Sequence, residues 1–212
     1  MRRASHIFEI LANFVSMKKS LNYLPAEKRR DLRQLVGIIR DEVKDVVMVI
    51  LYGSYARGTY VDYDQRIEYG VKTYFMSDYD ILIVTEKRMG VNEHAVYAKI
   101  LRRFEYSLYD KITDAFFQHK NRPFHTHPQF INESIAELNK ALDKSRYFYT
   151  DIKKDGVMLY ESGKYKLARR RKLDYAEIAE IAREYYEDKF PWASEFFALG
   201  KLAVDKGNYK MA

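Results

Sequence analysis

The feature that most constrains the fold is a seven-residue apolar run, Val46-Val-Met-Val-Ile-Leu-Tyr52. Nearly every position is apolar and most are β-branched, so the run predicts a central strand with side chains buried on both faces. A second run of the same kind follows at Asp80-Ile-Leu-Ile-Val-Thr85. Because such strands belong to sheets covered by helices on both sides, the two runs together predict an α/β domain.

The segments around these strands show helical and hairpin patterns. The apolar spacing predicts helices over about 5–21, from Pro25 to about Val43, over about 92–119 and from 128 or 129 to 142. Residues 123–127 and 156–160 are short strand candidates. Residues 59–76 separate the two buried runs, and they predict an inserted hairpin or long loop with a turn at Glu68-Tyr69-Gly70.

The last fifty residues differ in composition from the rest. Residues 164–172 are mostly Lys and Arg with no acidic residue, which is typical of a linker. Residues 174–212 have a helical pattern, with Gly207-Asn208 as a helix terminator. The sequence therefore predicts a first domain over 1–163, a basic linker over 164–173 and a truncated helical segment over 174–212.

Composition narrows the class of protein. The chain of 212 residues has no cysteine, which excludes a disulfide scaffold, a cysteine-ligated zinc site and a cysteine nucleophile. No apolar run is long enough to cross a bilayer, so we expect no membrane partner and a cytoplasmic location. A net charge of +7 favours a polyanionic partner or substrate, either a nucleic acid or a nucleoside triphosphate.

The end of the first buried strand has the residues of a phosphate site. Gly53 and Ser54 follow the strand directly, and a glycine there lets a ligand approach the backbone N–H groups. The Ser54 hydroxyl adds a donor, and Arg57 lies about one helical turn later with a guanidinium suited to phosphate. A Gly-Ser pair after a strand is also a common turn, so this signal alone is weak.

The start of the second buried strand has a pair of carboxylates. Asp78 and Asp80 are two residues apart, so on an extended chain both side chains point to the same face. Two anions this close repel each other unless a cation lies between them, and Mg²⁺ accepts carboxylates together with phosphate oxygens. Combined with the Gly-Ser turn, the pair predicts a site for phosphoryl or nucleotidyl transfer.

These two motifs resemble a known family. Leu51-Tyr-Gly-Ser-Tyr-Ala-Arg-Gly58 with Ser77-Asp-Tyr-Asp-Ile-Leu-Ile-Val84 is similar to the motifs of minimal nucleotidyltransferases, a branch of the DNA polymerase β-like superfamily. The segment 147–160 and the ending 198–212 resemble proteins in which that domain precedes a helical HEPN domain. The resemblance implies a small mixed sheet with flanking helices, followed by the start of a HEPN domain.

The resemblance also implies roles for individual residues. Asp78 and Asp80 would be catalytic and would hold Mg²⁺ or Mn²⁺, while four residues would bind the nucleoside triphosphate, with ATP favoured: Gly53, Ser54, Arg57 and Ser77. An acceptor hydroxyl on a protein or small molecule would attack the α-phosphate and expel pyrophosphate. Relatives paired with HEPN toxins transfer AMP to a tyrosine of the partner, and others modify aminoglycosides.

The chain departs from this family at the third carboxylate, which is usually carried on a later strand. The strand predicted at 123–127 has no acidic residue, although His125 and His127 lie on it. Imidazole is a poor ligand for Mg²⁺. Asp114 and Glu133 lie on predicted helices and fit the position badly.

Two alternative functions and one mode of assembly stay open. The missing carboxylate is compatible with a nucleotide-binding regulator that has lost catalysis. The basic run 164–172 is compatible with an RNA-binding or RNA-processing module that acts through this run and a full HEPN domain, although a solvated linker is the favoured interpretation of the run. An apolar helix face in the last segment is compatible with a homodimer formed through the C-terminal helices.

Overall fold

The computed structural model describes residues 17–68, 70–116, 126–169 and 171–208. The chain divides into two compact units, Met1–Arg171 and Lys172–Ala212, and each is described by itself. The helix predicted over 5–21 lies for most of its length outside the described residues. Its last part, 17–21, is not helical, since Lys18 instead forms an isolated parallel bridge with Val157.

The first unit contains six strands and five helices within the described residues. The strands are β1 (Val46–Tyr52), β2 (Asp64–Glu68), β3 (Val71–Phe75), β4 (Tyr79–Thr85), β5 (Pro128–Ser134) and β6 (Val157–Glu161). The helices are α1 (Ala26–Glu42), α2 (Gly53–Arg57), α3 (Glu93–Phe116), α4 (Ile135–Asp143) and α5 (Tyr147–Asp155), with a short 3₁₀ turn at Gly90–Asn92 before α3.

Four of the strands form one mixed sheet in the order β5-β4-β1-β6. β4 runs antiparallel to β1 and parallel to β5, and β6 runs antiparallel to β1. The two strands predicted to be buried on both faces, β1 and β4, are the two inner strands. The predicted α/β fold with a small mixed sheet and flanking helices is confirmed.

Alternating side chains of β1 and β4 enter two separate cores. Val49, Leu51, Ile81 and Ile83 pack with residues of α1 and α3 on one face. Met48, Ile50, Leu82 and Val84 pack with residues of α4 and α5 on the other. Every one of these side chains is buried, so helices pack against both faces of the sheet. This close packing fixes the position of the residues at the carboxyl end of β1.

The inserted segment forms the predicted hairpin. β2 and β3 pair antiparallel from Asp64↔Phe75 to Glu68↔Val71, and they make a separate two-stranded sheet. Gly70 lies at the turn with φ of 80°, a conformation that favours glycine. The hairpin therefore lies, in the sequence, between the end of β1 and the start of β4.

One predicted element is wrong. The segment from 128 was expected to begin a helix, but it forms the edge strand β5 as far as Ser134, and the helix begins at Ile135. The Ser134 hydroxyl accepts a hydrogen bond from the Glu137 backbone N–H at 3.2 Å, which caps the helix at this point. The strand predicted at 123–127 is not observed at 126–127, and its other residues lie outside the described residues.

The second unit is one long helix, α6 (Tyr175–Asp205), as the helical pattern predicted. It begins at a capping box in which Asp174 and Glu177 each accept the other's backbone N–H. It continues through Pro191 and ends shortly before Gly207, whose φ is 68°. Within the described ranges, no helix is both long enough and apolar enough to cross a membrane.

Candidate functional site

The sheet register brings the two sequence motifs together. Tyr52, the last residue of β1, pairs with Asp80 on β4, so Gly53 lies beside the Asp80 side chain. A Cβ atom placed on Gly53 would stand only 1.9 Å from Oδ2 of Asp80. Gly53 also has a φ of 71°, so both its conformation and its space require glycine. The predicted convergence of the Gly-Ser turn and the Asp-x-Asp pair is observed.

The carboxylates of this pair repel each other. Burial raises the pKa of Asp80 above its ordinary value, the charge of Asp78 raises it further, and the charge of Arg57 lowers it. Both aspartates are half-buried, so water reaches them but does not fully screen them. A divalent cation beside them would relieve this repulsion, which makes the pair chemically suited to a metal ion.

The predicted phosphate residues lie on the short helix α2. Ser54 is half-buried in its first turn, and Arg57 is exposed in its last. Gly58 ends the helix in a left-handed conformation with φ of 76°, and the Thr59 backbone N–H donates to the Ser54 carbonyl at 3.0 Å. A short helix thus begins directly after the strand and ends at the left-handed Gly58.

A buried cluster of polar side chains holds α2 in place through its residue Tyr55. The Tyr55 ring is fully buried, and its hydroxyl hydrogen-bonds with the Thr126 hydroxyl at 3.1 Å. Lys28 Nζ donates to the same Thr126 oxygen at 2.7 Å and pairs with Asp62 at 2.9 Å. The Tyr60 ring stacks on Tyr55 with centroids 4.1 Å apart. These contacts fix the helix that bears Ser54 and Arg57, and sequence reasoning did not find them.

Ser77, predicted to contact the nucleotide, is buried and bonds to the inserted segment. Its hydroxyl accepts the Val61 N–H at 2.9 Å, and its own backbone N–H donates to the Val61 carbonyl at 2.9 Å. The two bonds join the start of the insertion to its end, immediately before Asp78. Ser77 therefore fixes where the chain enters β4, while its contact with a nucleotide stays a prediction.

The structure adds a residue that sequence reasoning missed. β5 runs parallel to β4 with Gln129 paired to Asp80, so their side chains share a face of the sheet. Gln129 is exposed near the start of β5, at the same end of the sheet as the two aspartates. A helix beginning at 128 or 129, as the sequence predicts, gives Gln129 no place beside Asp80.

The other candidates for a third acidic or metal-binding residue lie elsewhere. Glu133 is on β5 rather than on a helix, it is buried, and it accepts the Tyr149 hydroxyl at 3.0 Å. His127 is exposed just before β5, and His125 lies outside the described residues. Asp114 is on helix α3, as predicted. Within the described part of the chain, no three His, Asp or Glu side chains cluster as a metal site would require.

Aromatic residues border the site on the side of α5. The Tyr52 ring meets the Phe148 ring edge to face, with centroids 5.6 Å apart. Burial raises the pKa of Tyr52, and the nearby Asp80 carboxylate raises it further, so its hydroxyl stays protonated at neutral pH. The Tyr147 side chain is three-quarters exposed at the start of α5. Tyr52 thus lies near Asp80 and contacts the partly exposed Phe148 ring.

An open groove adjoins the other side of α2. Its volume is about 950 Å³, and its lining includes Lys18, Lys19, Tyr23, Arg57 and Tyr60. Lys19 also pairs with Glu161, and the Tyr23 hydroxyl donates to the Tyr55 carbonyl at 2.9 Å. Arg57 therefore lies between the aspartate pair and a groove with an excess of positive charge.

The basic segment as far as Arg171 belongs to the first unit, where side chains of α4 and the turn after it hydrogen-bond to its backbone. The Asn139 side chain donates to the Lys166 carbonyl at 3.0 Å and accepts the Ala168 N–H at 2.7 Å. The Ser145 hydroxyl donates to the Arg171 carbonyl at 2.7 Å. Residues 166–171, taken without Arg170, therefore follow the surface of α4 and its C-terminal turn.

Comparison with known proteins gives only loose structural likenesses. No family model matches the chain, and no curated protein matches it. One similar solved structure is a candidate nucleotidyltransferase from Sulfolobus solfataricus, 18% identical with a TM-score of 0.32, covering 64% of this chain and 81% of that one. A toxin–antitoxin structure with AMP-PNP is 11% identical with a TM-score of 0.33, covering 82% of this chain and 96% of that one. A mutant of the toxin–antitoxin pair MntA-HpeT is 8% identical with a TM-score of 0.32, at the same coverage of 82% and 96%. Likeness at this level assigns no activity to the chain.

Proposed function

We propose that the first unit is a nucleotidyltransferase that uses Mg²⁺ or Mn²⁺ to transfer a nucleoside monophosphate, AMP from ATP, to a hydroxyl acceptor. The observation that supports this proposal most is the contact of Gly53 with Asp80, which joins a phosphate-type turn to a carboxylate pair. The Gly-Ser and Asp-x-Asp motifs, in this order and at the ends of these strands, resemble those of minimal nucleotidyltransferases.

The proposal assigns phosphate binding to the residues of α2 and metal binding to the aspartate pair. Backbone N–H groups at Gly53 and Ser54, with the Ser54 hydroxyl, bind the β- and γ-phosphates, and Arg57 adds positive charge. Asp78 and Asp80 hold the divalent cation, for which their geometry and mutual repulsion are suited. When bound, that cation neutralises phosphate charge and polarises the α-phosphate.

The proposed transfer forms one bond and breaks one. The acceptor oxygen bonds to the α-phosphorus, the bond from that phosphorus to the bridging oxygen breaks, and pyrophosphate leaves with the electron pair. The acceptor proton passes to solvent. The acceptor is a protein or small-molecule hydroxyl.

Labelled ATP tests this proposal. The full chain is incubated with α-labelled ATP, Mg²⁺ and candidate acceptors, and pyrophosphate release is followed with transfer of the label. We expect transfer by the wild type and by Asp143→Asn, which removes an exposed carboxylate at the end of α4. We expect none from Asp80→Asn. Equal transfer by all three proteins would refute the role of Asp80.

A second candidate is a regulator that binds Mg·ATP without transferring the nucleotide. It is favoured by one observation, the neutral Gln129 beside Asp80. Calorimetry separates the two candidates, because a regulator binds Mg·ATP but releases no pyrophosphate with any acceptor. Pyrophosphate release that depends on an acceptor would exclude it.

A further inference from the structure

Three polar side chains, two of them negatively charged and one neutral, lie where strands β4 and β5 begin. Asp78, Asp80 and Gln129 lie at the ends of two neighbouring parallel strands, with Gln129 in register with Asp80. Asp80 and Gln129 share a face, and both are reached by solvent. The three positions together hold two negative charges rather than three, because the amide of Gln129 is neutral.

We propose that Gln129 makes divalent metal binding conditional on the nucleoside triphosphate, so that the free protein holds no metal and the complex holds one ion. This inference rests on the proposed function, since it concerns how the same site is loaded. It assigns Gln129 as the residue that sets metal occupancy.

Metal binding depends on the nucleotide because the protein alone supplies only two charged ligands. Mg²⁺ and Mn²⁺ in proteins bind carboxylates and phosphates, and affinity rises with the count of charged oxygens. A carboxamide oxygen can coordinate a cation, but it adds no charge. Two half-exposed carboxylates are a weak site on their own, and the phosphates of a bound nucleotide supply the missing negative charge.

Glu133 does not supply that charge in place of Gln129. It lies on the same face of β5 but four residues further along the strand, a separation of about 13 Å at the usual rise of a strand. Its carboxylate also accepts hydrogen bonds from the Tyr149 hydroxyl and the Ser134 N–H, and Arg88 lies 3.6 Å away. The charge of Glu133 is therefore balanced away from the aspartate pair.

Electron paramagnetic resonance of Mn²⁺ tests the proposal without measuring activity. The full chain is titrated with Mn²⁺ alone and with Mn²⁺ plus a non-hydrolysable ATP analogue, and free Mn²⁺ is counted from its signal. Each titration is repeated without protein, and the Mn²⁺ held by the analogue alone is subtracted. The variants are Gln129→Glu, which adds the missing charge with little change in size, and Asp80→Asn. Gln65→Glu is the matched control, since it adds the same charge at an exposed position on β2.

For the wild type and Gln65→Glu, we expect Mn²⁺ binding at least about tenfold tighter with the analogue than without it, and one ion per chain. For Gln129→Glu, we expect Mn²⁺ binding without nucleotide to tighten by about tenfold or more. For Asp80→Asn, we expect no protein-dependent binding of Mn²⁺ in either condition.

The two proposals fail in different ways. Tight Mn²⁺ binding by the nucleotide-free wild type, two ions per chain in the complex, or a Gln129→Glu variant like the wild type would each overturn the role of Gln129 and leave the nucleotidyltransferase site intact. Absence of Mn²⁺ binding to the wild type even with the analogue, or binding unchanged in Asp80→Asn, would overturn both.

Discussion

Oδ2 of Asp80 lies 1.9 Å from the point where a Cβ atom of residue 53 would stand, so the carboxylate occupies the space that Gly53 leaves free. The pairing of Tyr52 with Asp80 across β1 and β4 produces this contact. Two motifs separated by a hairpin in the sequence are thereby neighbours in space.

Gly53→Ala should displace Asp80 and weaken metal-dependent nucleotide binding by at least about tenfold. Two effects add up, because the left-handed φ of 71° strains alanine and the new methyl group collides with the carboxylate. We expect a loss of about 2 kcal/mol or more in the free energy of unfolding, measured by urea denaturation.

Gly163→Ala is the matched control for that variant. Gly163 has a similar φ of 76°, but nothing lies within 4 Å of its added Cβ. It should show the conformational cost alone, about 1 kcal/mol, with nucleotide binding unchanged. Equal losses of stability and binding in both variants would mean that the collision with Asp80 has no effect.

Asp80→Asn should stabilise the metal-free protein at neutral pH while removing its function. The raised pKa of Asp80 means that the folded protein disfavours the charged carboxylate. The cost in folding free energy is absent at pH values below the pKa of this aspartate in the unfolded chain, about 3.9. It is complete at pH values above the raised pKa in the folded protein. Because solvent screens a half-exposed group, we expect a gain below about 1 kcal/mol at pH 7.

The gain is measured as a change in Tm in a chelating buffer, across a series of pH values. It should shrink as the pH falls towards the ordinary carboxyl pKa, and Asp143→Asn should show no comparable gain. A gain that stays constant with pH, or a loss at pH 7, would contradict the electrostatic explanation.

Thr126→Val should destabilise the first unit by removing the hydrogen bonds that support α2. The Thr126 hydroxyl bonds to both Lys28 and Tyr55, and valine leaves these buried groups without that partner. We expect a loss of about 1–3 kcal/mol by urea denaturation, together with weaker nucleotide binding as α2 loosens. Thr73→Val on the hairpin is the control and should change stability by less than about 0.5 kcal/mol. Similar effects from both would rule out an anchoring role for Thr126.

Arg57→Gln should weaken triphosphate binding by about tenfold without changing stability, because Arg57 is exposed and its proposed task is charge. The affinity of the wild type should fall as salt rises, and that of the variant should fall less steeply. Arg102→Gln, which removes an exposed charge from α3, is the control. Unchanged affinity and salt dependence in Arg57→Gln would remove this residue from the site.

The sequence predicted the inner part of the fold because its signals there are local and strong. Continuous apolar runs identify β1 and β4, and Gly53 and the aspartates lie at their ends. The sequence did not predict the buried contacts of Lys28 with Asp62 and Thr126, since these residues are far apart in the chain. Long-range polar contacts of this kind leave no periodic pattern.

The edge strand β5 was missed because its sequence alternates weakly and continues directly into a helix. One local signal was present, since Ser134-Ile-Ala-Glu137 has the spacing of a capping box and marks Ile135 as the first helical residue. With that boundary, residues 128–134 become a strand and Gln129 falls at its exposed start. The third position of the site then follows from the parallel register with β4.

Calorimetric titration of a non-hydrolysable ATP analogue in Mg²⁺ tests the proposed site most directly. The wild type and Asp143→Asn should bind one analogue per chain with equal affinity, and a chelator should abolish that binding. Asp80→Asn and Gly53→Ala should bind at least about tenfold more weakly, because each disrupts the shared pocket of turn and carboxylate. Binding of the analogue by all four proteins with the same affinity, or binding that survives the chelator unchanged, would contradict a metal-dependent nucleotide site at Gly53 and Asp80.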